Sequence, residues 1–186
     1  MLDGAIASSI QIPDKRQHMK TIIAVAVSAI LTACASTSGQ SGPSARAALK
    51  PASGTKVQGA LTFTQAGDSV RITGEIAGHS PGAKGFHIHE KGDCSDPKAM
   101  STGGHFNPTK ARHGAPGAGH AGDLGSLVFN EYGRATVNMT VSGISVSKDA
   151  ANGIIGRAVI VHMDPDDLKT DPTGNAGGRA ACGVIE

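Results

Sequence analysis

The stretch GFHIHE, residues 85–90, places two histidines among residues that usually belong in a protein core. On a β-strand, alternate side chains share a face and lie about 6.5–7 Å apart along it. Phe86 and Ile88 would therefore face one way, into a core, while His87 and His89 would face the other way together. Two imidazoles placed like this can chelate one metal ion, although a pair of surface histidines on a strand would show the same spacing.

The composition favours strands and loops over helices. The chain has 186 residues, of which 26 are Gly and none is Trp, with 39% hydrophobic and 3% aromatic residues. Frequent glycine suits short strands joined by turns, and the apolar content suffices for one core. The formal net charge of +2, without a long basic run, argues against a nucleic-acid partner.

The first residues have the pattern of an export signal. A basic flank precedes the apolar run at 22–31, which has about half the length needed to span a bilayer as a helix. The sequence LTAC, residues 31–34, resembles the lipobox of bacterial lipoproteins, in which the signal is cut before a cysteine that is lipidated. We therefore expect a signal peptide at 1–33, or from a start at Met19, and a lipid on Cys34. An ordinary cleaved signal with an incidental cysteine is the alternative.

The export signal and the LTAC sequence together predict a membrane-anchored lipoprotein in the periplasm. The periplasm is an oxidising compartment in which disulfides persist. With Cys34 assigned to lipid, Cys94 and Cys182 remain as a pair, and two unpaired buried thiols are the alternative. Residues 34–54 are rich in Ser, Ala, Gly and Pro, which predicts a flexible tether. The folded domain is then expected at 55–186.

Period-two alternation beyond the tether predicts half-buried strands over 56–63, 70–76 and 134–141. No segment predicts a long amphipathic helix. Two connections, 91–124 and 163–178, are long and rich in glycine and proline, and such loops inside a compact domain are usually functional or disordered. Antiparallel strands with two oversized loops predict a β-sandwich or a β-barrel, which periodicity alone does not distinguish.

Histidines are concentrated in and beside these two loops, apart from His18 in the leader and His79 in a turn. The candidate metal ligands are six histidines and one carboxylate: His87, His89, His105, His113, His120, His162 and Asp123. Two four-coordinate ions need eight ligands, so the count closes if one ring binds both ions through its two nitrogens. His105 lies in the first long loop, after His87 and His89 and before His113 and His120 in sequence, and this intermediate position favours it as the bridge.

The two groups of ligands predicted in this way differ in donor chemistry. Tetragonal coordination by nitrogen alone favours copper, and it would come from His87, His89, His105 and His162. Three nitrogens and one oxygen in a closed tetrahedron suit a structural zinc ion, and they would come from His105, His113, His120 and Asp123.

Five motifs in order, from about Thr55 to Glu186, together resemble the copper–zinc superoxide dismutase family: GFHIHE, GGHFNP, HAGDLG, VHMDPDDL and GNAGGRAACGVI. The resemblance implies an all-β fold, a flattened eight-stranded Greek-key β-barrel of the immunoglobulin-like sandwich type, with two long functional loops. It implies an antioxidant oxidoreductase that converts superoxide to oxygen and hydrogen peroxide, with copper and zinc bound as grouped above. By family analogy His105 is also catalytic, because it takes up a proton and delivers it to peroxide.

The resemblance assigns roles to further residues. Asp166 matches an aspartate that links a copper ligand to a zinc ligand, which here would be His87 and His113. Arg179 matches an arginine beside the copper channel, where its fixed charge and paired donors would dock the anion. The Cys94–Cys182 pair matches the intrachain disulfide of the family.

Departures from the family pattern lie in the two loops. The segment from Cys94 to His105 is longer than in eukaryotic members, and the loop from Asp166 to Arg179 is shorter. Which charges besides Arg179 guide the substrate is therefore left open. A copper carrier of the same fold without turnover and a zinc-stabilised structural module are the alternative functions, and the chain is expected to be a monomer or a homodimer.

Overall fold

The computed structural model describes residues 42–186, where the regular structure is almost entirely β. Eight strands follow one another along the chain: β1 (Ser44–Pro51), β2 (Gln58–Ala66), β3 (Ser69–Ala77), β4 (Gly82–His89), β5 (Asp123–Phe129), β6 (Arg134–Ser142), β7 (Ala158–His162) and β8 (Arg179–Val184). The one helical segment in this part of the chain is a 3-10 turn, Met100–Thr102. Within residues 42–186, no helix has the length and apolar character needed to cross a membrane.

The strands pair antiparallel in the order β5-β4-β7-β8-β1-β2-β3-β6. β5 and β6 stand at the two ends of this order, are consecutive in the chain and contact each other. The sheet therefore curls into a nearly closed barrel. Within it, β4 pairs directly with β7, although the two strands are far apart in sequence. The expected all-β, eight-stranded Greek-key barrel is confirmed.

Period-two patterning places the core inside this barrel. Val70, Ile72 and Ile76 of β3 are almost fully buried, and Leu61 and Phe63 of β2 alternate in the same way. The polar residues between them face outward, as expected for antiparallel strands that are wet on one face. The alternation read from these two segments is thus confirmed.

β1 corrects the expected boundary of the folded domain. The composition of residues 34–54 predicts a tether, but Ser44–Pro51 forms a strand that pairs with both β2 and β8. Its inward side chains, Ala45, Ala47 and Leu49, are buried in the core. The alternation is hard to recognise because alanine is as common in linkers as in tightly packed strands.

The folded domain therefore begins before the expected Thr55. The predicted signal peptide at 1–33, the alternative start at Met19, the lipid site Cys34 and the part of the tether before Gly42 lie outside the described residues.

A disulfide between Cys94 and Cys182 fastens the first long loop to β8. Its two Cα atoms lie 5.8 Å apart, and it closes a segment of 88 residues. In the chain-entropy account, a loop of this length stabilises the fold by about 4–5 kcal/mol before any strain is subtracted. The predicted cysteine pairing is thus confirmed.

The outer face of β4, β7 and β8 is covered by this loop. Ile160 and Ala158 on that face pack with Cys182 and Ala99 in a small cluster separate from the main core. The inner face of the same strands, including Phe86 and Ile88, belongs to the main core. The loop therefore encloses a buried layer outside the barrel, and the histidines of GFHIHE lie in that layer.

Candidate metal centre

Strand register brings four histidines together on the outer face of the barrel. His87 and His89 of β4 lie opposite Ile160 and Ala158 of β7, and His162 ends β7. His105, in the first long loop, joins His89 through an isolated antiparallel bridge. One ring nitrogen from each lies within 4.8 Å of the others, and all four residues are buried. We call His87, His89, His105 and His162 the all-histidine group.

A second set of four residues meets at the other side of His105. We call it the histidine–aspartate group, and it comprises His105, His113, His120 and Asp123, again with one donor atom from each within 4.8 Å of the others. Asp123 Oδ1 lies 2.7 Å from His105 Nδ1 and 3.2 Å from His120 Nδ1. Asp123 Oδ2 lies 3.1 Å from His113 Nδ1. Asp123 begins β5, so the barrel fixes the centre of a group whose other members come from the loop.

Three ring nitrogens in these groups are buried without a hydrogen-bond partner among the described residues: His87 Nδ1, His105 Nε2 and His113 Nδ1. Such buried, unpaired polar atoms are costly and therefore rare in native proteins. Each of them belongs to a residue that is predicted to bind a metal ion. The opposite nitrogen of each ring meets a carboxylate, so the donor chemistry and the unpaired atoms both fit metal ions.

The pKa values of three imidazoles favour the neutral form that a metal requires. Burial lowers the pKa of His105 to about 4 and that of His162 to about 3. Burial and the neighbouring imidazoles also hold the pKa of His89 well below its usual value. These rings are uncharged at neutral pH, and their nitrogens carry the lone pairs that ligation uses.

Asp166, at the start of the second long loop, connects the two groups. Its Oδ2 lies 2.8 Å from His87 Nε2, and its Oδ1 lies 2.9 Å from His113 Nε2. A carboxylate that only accepts requires a hydrogen on both Nε2 atoms, so each Nδ1 is left free to act as a ligand. Burial alone would raise the pKa of Asp166, but hydrogen bonds from His87, the Leu168 N–H and His113 outweigh it and lower the pKa below its usual value. The predicted link between His87 and His113 is present in the geometry.

Gly174 lets the second loop approach this carboxylate. Its φ is +62°, and a Cβ there would collide with Asp166 Oδ1 and His113 Nε2. Only glycine combines that backbone conformation with the space that remains. The glycine-rich composition of the loop therefore has a specific function at this position.

Arg179 begins β8 beside His162, its partner in the β7–β8 register. The guanidinium donates hydrogen bonds to three acceptors in the first long loop: Ala99 O, Thr102 Oγ1 and Gly103 O. The family resemblance predicts that Arg179 lies beside the copper-binding histidines. The contacts of Arg179 with the first long loop are visible only in the structure.

Some contacts at the site escaped sequence reasoning. Asp171 accepts a 2.6 Å hydrogen bond from the His113 N–H and pairs with the exposed Arg112, which links the two long loops. Thr102 is fully buried against Arg179 and His89. Neither residue lies in a recognisable motif, because their roles depend on loop conformations that only the tertiary structure sets.

Comparison with known proteins agrees with this geometry. The family described as copper/zinc superoxide dismutase matches residues 57–185. A solved structure described as the clock protein EA4 is 46% identical to this chain with a TM-score of 0.69, and the match covers 76% of this chain and 92% of that one. The family match spans well over half of the sequence and includes every residue of both groups. The chain belongs to the copper/zinc superoxide dismutase family.

Proposed function

We propose that the protein is a superoxide dismutase that binds copper in the all-histidine group and zinc in the histidine–aspartate group. The observation that carries the proposal is the ring of His105, which belongs to both groups. Its buried Nε2 has no hydrogen-bond partner in the described part of the chain, and its Nδ1 lies 2.7 Å from Asp123 Oδ1. One imidazole can therefore bridge a redox-active ion and a structural ion.

The chemistry of the donors supports this choice of ions. Four imidazole nitrogens suit copper, and three imidazole nitrogens with one carboxylate oxygen suit zinc. Bound copper supplies one-electron redox chemistry, by which one superoxide is oxidised to oxygen and a second is reduced, with two protons, to hydrogen peroxide. The protein's own groups bind and orient the substrate anion and supply a proton.

Arg179 is the anion-docking residue in this proposal. It lies opposite His162 and carries a permanent charge, and a guanidinium offers paired donors to a small anion. A local positive group of this kind raises the rate at which an anion arrives even when the net charge of the protein is small.

His105 is the proton-handling residue. Its Nδ1 lies beside Asp123, which leaves Nε2 for the all-histidine group, and a proton held on Nε2 would lie next to the site of reduction. On the opposite side of the ring, Nδ1 lies 2.7 Å from Asp123 Oδ1, where both residues would hold the zinc ion, so the orientation of the ring is set from that side.

We also propose that the protein works in the periplasm as a lipoprotein anchored through Cys34. The support is the basic flank, the short apolar run and the LTAC sequence at 31–34. The Cys94–Cys182 disulfide is in keeping with an oxidising compartment. Mass spectrometry of the mature protein should find a diacylated cysteine at its N-terminus, and an unmodified N-terminus at another residue would contradict the anchor.

A superoxide-consumption assay on metal-loaded protein tests the activity. We expect catalytic consumption that a copper chelator abolishes, together with one copper and one zinc per chain by elemental analysis. Copper binding without turnover would instead identify a copper carrier. Zinc in both groups, without copper-dependent visible absorbance, would identify a structural module.

A further inference from the structure

Thr102 lies where the anion-docking arginine meets a copper-site histidine. It ends the 3-10 turn Met100–Thr102 in the first long loop, and its side chain is fully buried. Its Oγ1 lies 2.9 Å from Ala99 O, 2.8 Å from Arg179 Nη1 and 3.3 Å from His89 Nδ1. One hydroxyl therefore contacts both functional residues at once.

The hydrogen count at this hydroxyl fixes the direction of each contact. Its single hydrogen goes to Ala99 O, which can only accept, so Oγ1 itself must accept from Arg179 and from His89. Gly103 O, 3.0 Å from His89 Nδ1, also can only accept. Both contacts require a hydrogen on His89 Nδ1, which leaves Nε2 as the ligand atom. That Nε2 lies 3.3 Å from His162 Nε2, on the side of the all-histidine group.

The same hydroxyl orients the guanidinium. Arg179 Nη1 donates to Ala99 O and to Thr102, so both of its hydrogens are engaged, and Nη2 gives one hydrogen to Gly103 O. The Nε hydrogen and the second Nη2 hydrogen have no acceptor among the described residues. Nε and Nη2 are neighbours on one edge of the guanidinium, and paired donors on such an edge form the fork that recognises a small anion.

We propose that Thr102 is a positioning residue that turns the free edge of Arg179 toward a small monovalent anion and holds the His89 tautomer. The inference rests on the proposed function, because it concerns the anion site of that reaction. It does not require turnover, since anion binding and the His89 Nδ1–H can both be observed in a protein that lacks activity.

The test compares Thr102→Val, which keeps the shape but removes the hydroxyl, with Thr102→Ser, which keeps the hydroxyl. Ser101→Ala is the matched control, because Ser101 lies in the same turn and its hydroxyl donates to Asp93 O rather than to a residue of the site. The probe is azide, titrated into copper-loaded protein and followed by its charge-transfer absorbance. We expect Thr102→Val to bind azide about tenfold more weakly, equivalent to about 1.4 kcal/mol, with Thr102→Ser and Ser101→Ala within twofold of wild type.

The second readout is the His89 Nδ1–H signal of the zinc-loaded, copper-free protein by nitrogen-15 NMR. We expect faster solvent exchange of this hydrogen in Thr102→Val only. Unchanged azide affinity and exchange in Thr102→Val would overturn the proposal, as would equal losses in Thr102→Val and Ser101→Ala. An inactive wild type that still shows the Thr102→Val effects would refute the dismutase function and leave the positioning role supported.

If Thr102→Val fails to fold, Thr102→Ala replaces it as the variant without the hydroxyl. Serine keeps the hydroxyl that alanine lacks, so Thr102→Ser should bind azide more tightly than Thr102→Ala and stay within twofold of Ser101→Ala. A Thr102→Ala affinity equal to that of Thr102→Ser would count against the hydroxyl.

Discussion

His105 belongs to two metal groups because its surroundings fix both its backbone and its ring. The β-bridge to His89 holds the main chain of His105 against β4. The next residue, Phe106, donates its N–H to Ile88 O and accepts a hydrogen bond from the Gly122 N–H. Asp123 then orients the ring through Nδ1. The flexible composition of the loop therefore does not make this residue mobile in the folded state.

Arg179→Glu should retain both metals but lose most of the dismutase activity. The substitution replaces a cation beside His162 with an anion, so it repels superoxide where the wild type attracts it. We expect at least about a tenfold drop in rate at low ionic strength, which narrows as salt screens the charges. Arg179→Lys, which keeps the charge but not the fork, should fall between the two. Equal rates for Arg179→Glu and wild type would remove the arginine from the mechanism.

Gly174→Ala should disrupt the histidine–aspartate group. Its Cβ would collide with Asp166 Oδ1 and His113 Nε2 at a backbone φ of +62°. The matched control is Gly67→Ala, at φ +59° with nothing within 4 Å of the added carbon. The control carries only the backbone strain, about 1–2 kcal/mol, whereas Gly174→Ala should also lower the zinc content per chain. Normal zinc content in Gly174→Ala would show that the loop relaxes around the added carbon.

The elements of the fold divide into those with a local pattern and those without one. The alternation in β2, β3 and β4 shows directly which residues face the core, and the ligands in the loops could be found by counting donors. The sequence pattern does not indicate β1, because Ala45 and Ala47 give a weak hydrophobic signal. The conformation of the 3-10 turn Met100–Thr102 could not be predicted, since the disulfide and Arg179 hold it from distant positions in the chain.

A truncated chain that starts at Thr55 tests the corrected boundary of the domain. It lacks β1 and so exposes the edges of β2 and β8, and it loses the buried side chain of Leu49, worth about 2–5 kcal/mol on its own. We expect it to unfold at a much lower urea concentration than a chain that starts at Gly42. The same unfolding midpoint for both chains would show that residues 44–51 do not contribute to the folded domain.

At the scale of the whole molecule, the barrel is a rigid frame and the two long loops complete the site. The disulfide joins the first loop to β8, Asp166 and Asp171 join the second loop to the first, and Arg179 holds the first loop from the barrel. Without metal, this arrangement keeps several imidazoles buried and neutral. The free energy of unfolding of the metal-free protein should therefore depend on pH.

The metal-free protein should lose stability as the pH falls below about 6.5. The pKa values of His105, His162 and His89 are lowered in the folded state, so the unfolded chain takes up protons first. Their contribution is fully present above the unfolded value of about 6.5, and it is lost as the pH falls through the folded values of about 4 and 3. Urea unfolding at pH 7.5 and at pH 5 would measure the loss. A free energy of unfolding that stays constant between these two pH values would contradict the prediction.

β1 also determines from which side the domain can be held. The strand starts at Ser44, near Glu186, and runs about 24 Å to Pro51, which lies beside Ala181 close to Arg179. Whatever is attached upstream of Ser44, whether an acyl chain, an affinity tag or a sensor surface, is therefore joined at the end of the barrel remote from the arginine. A chip or electrode that captures a chain beginning at Gly42 by its N-terminus should leave the side of the domain around Arg179 open to the solution.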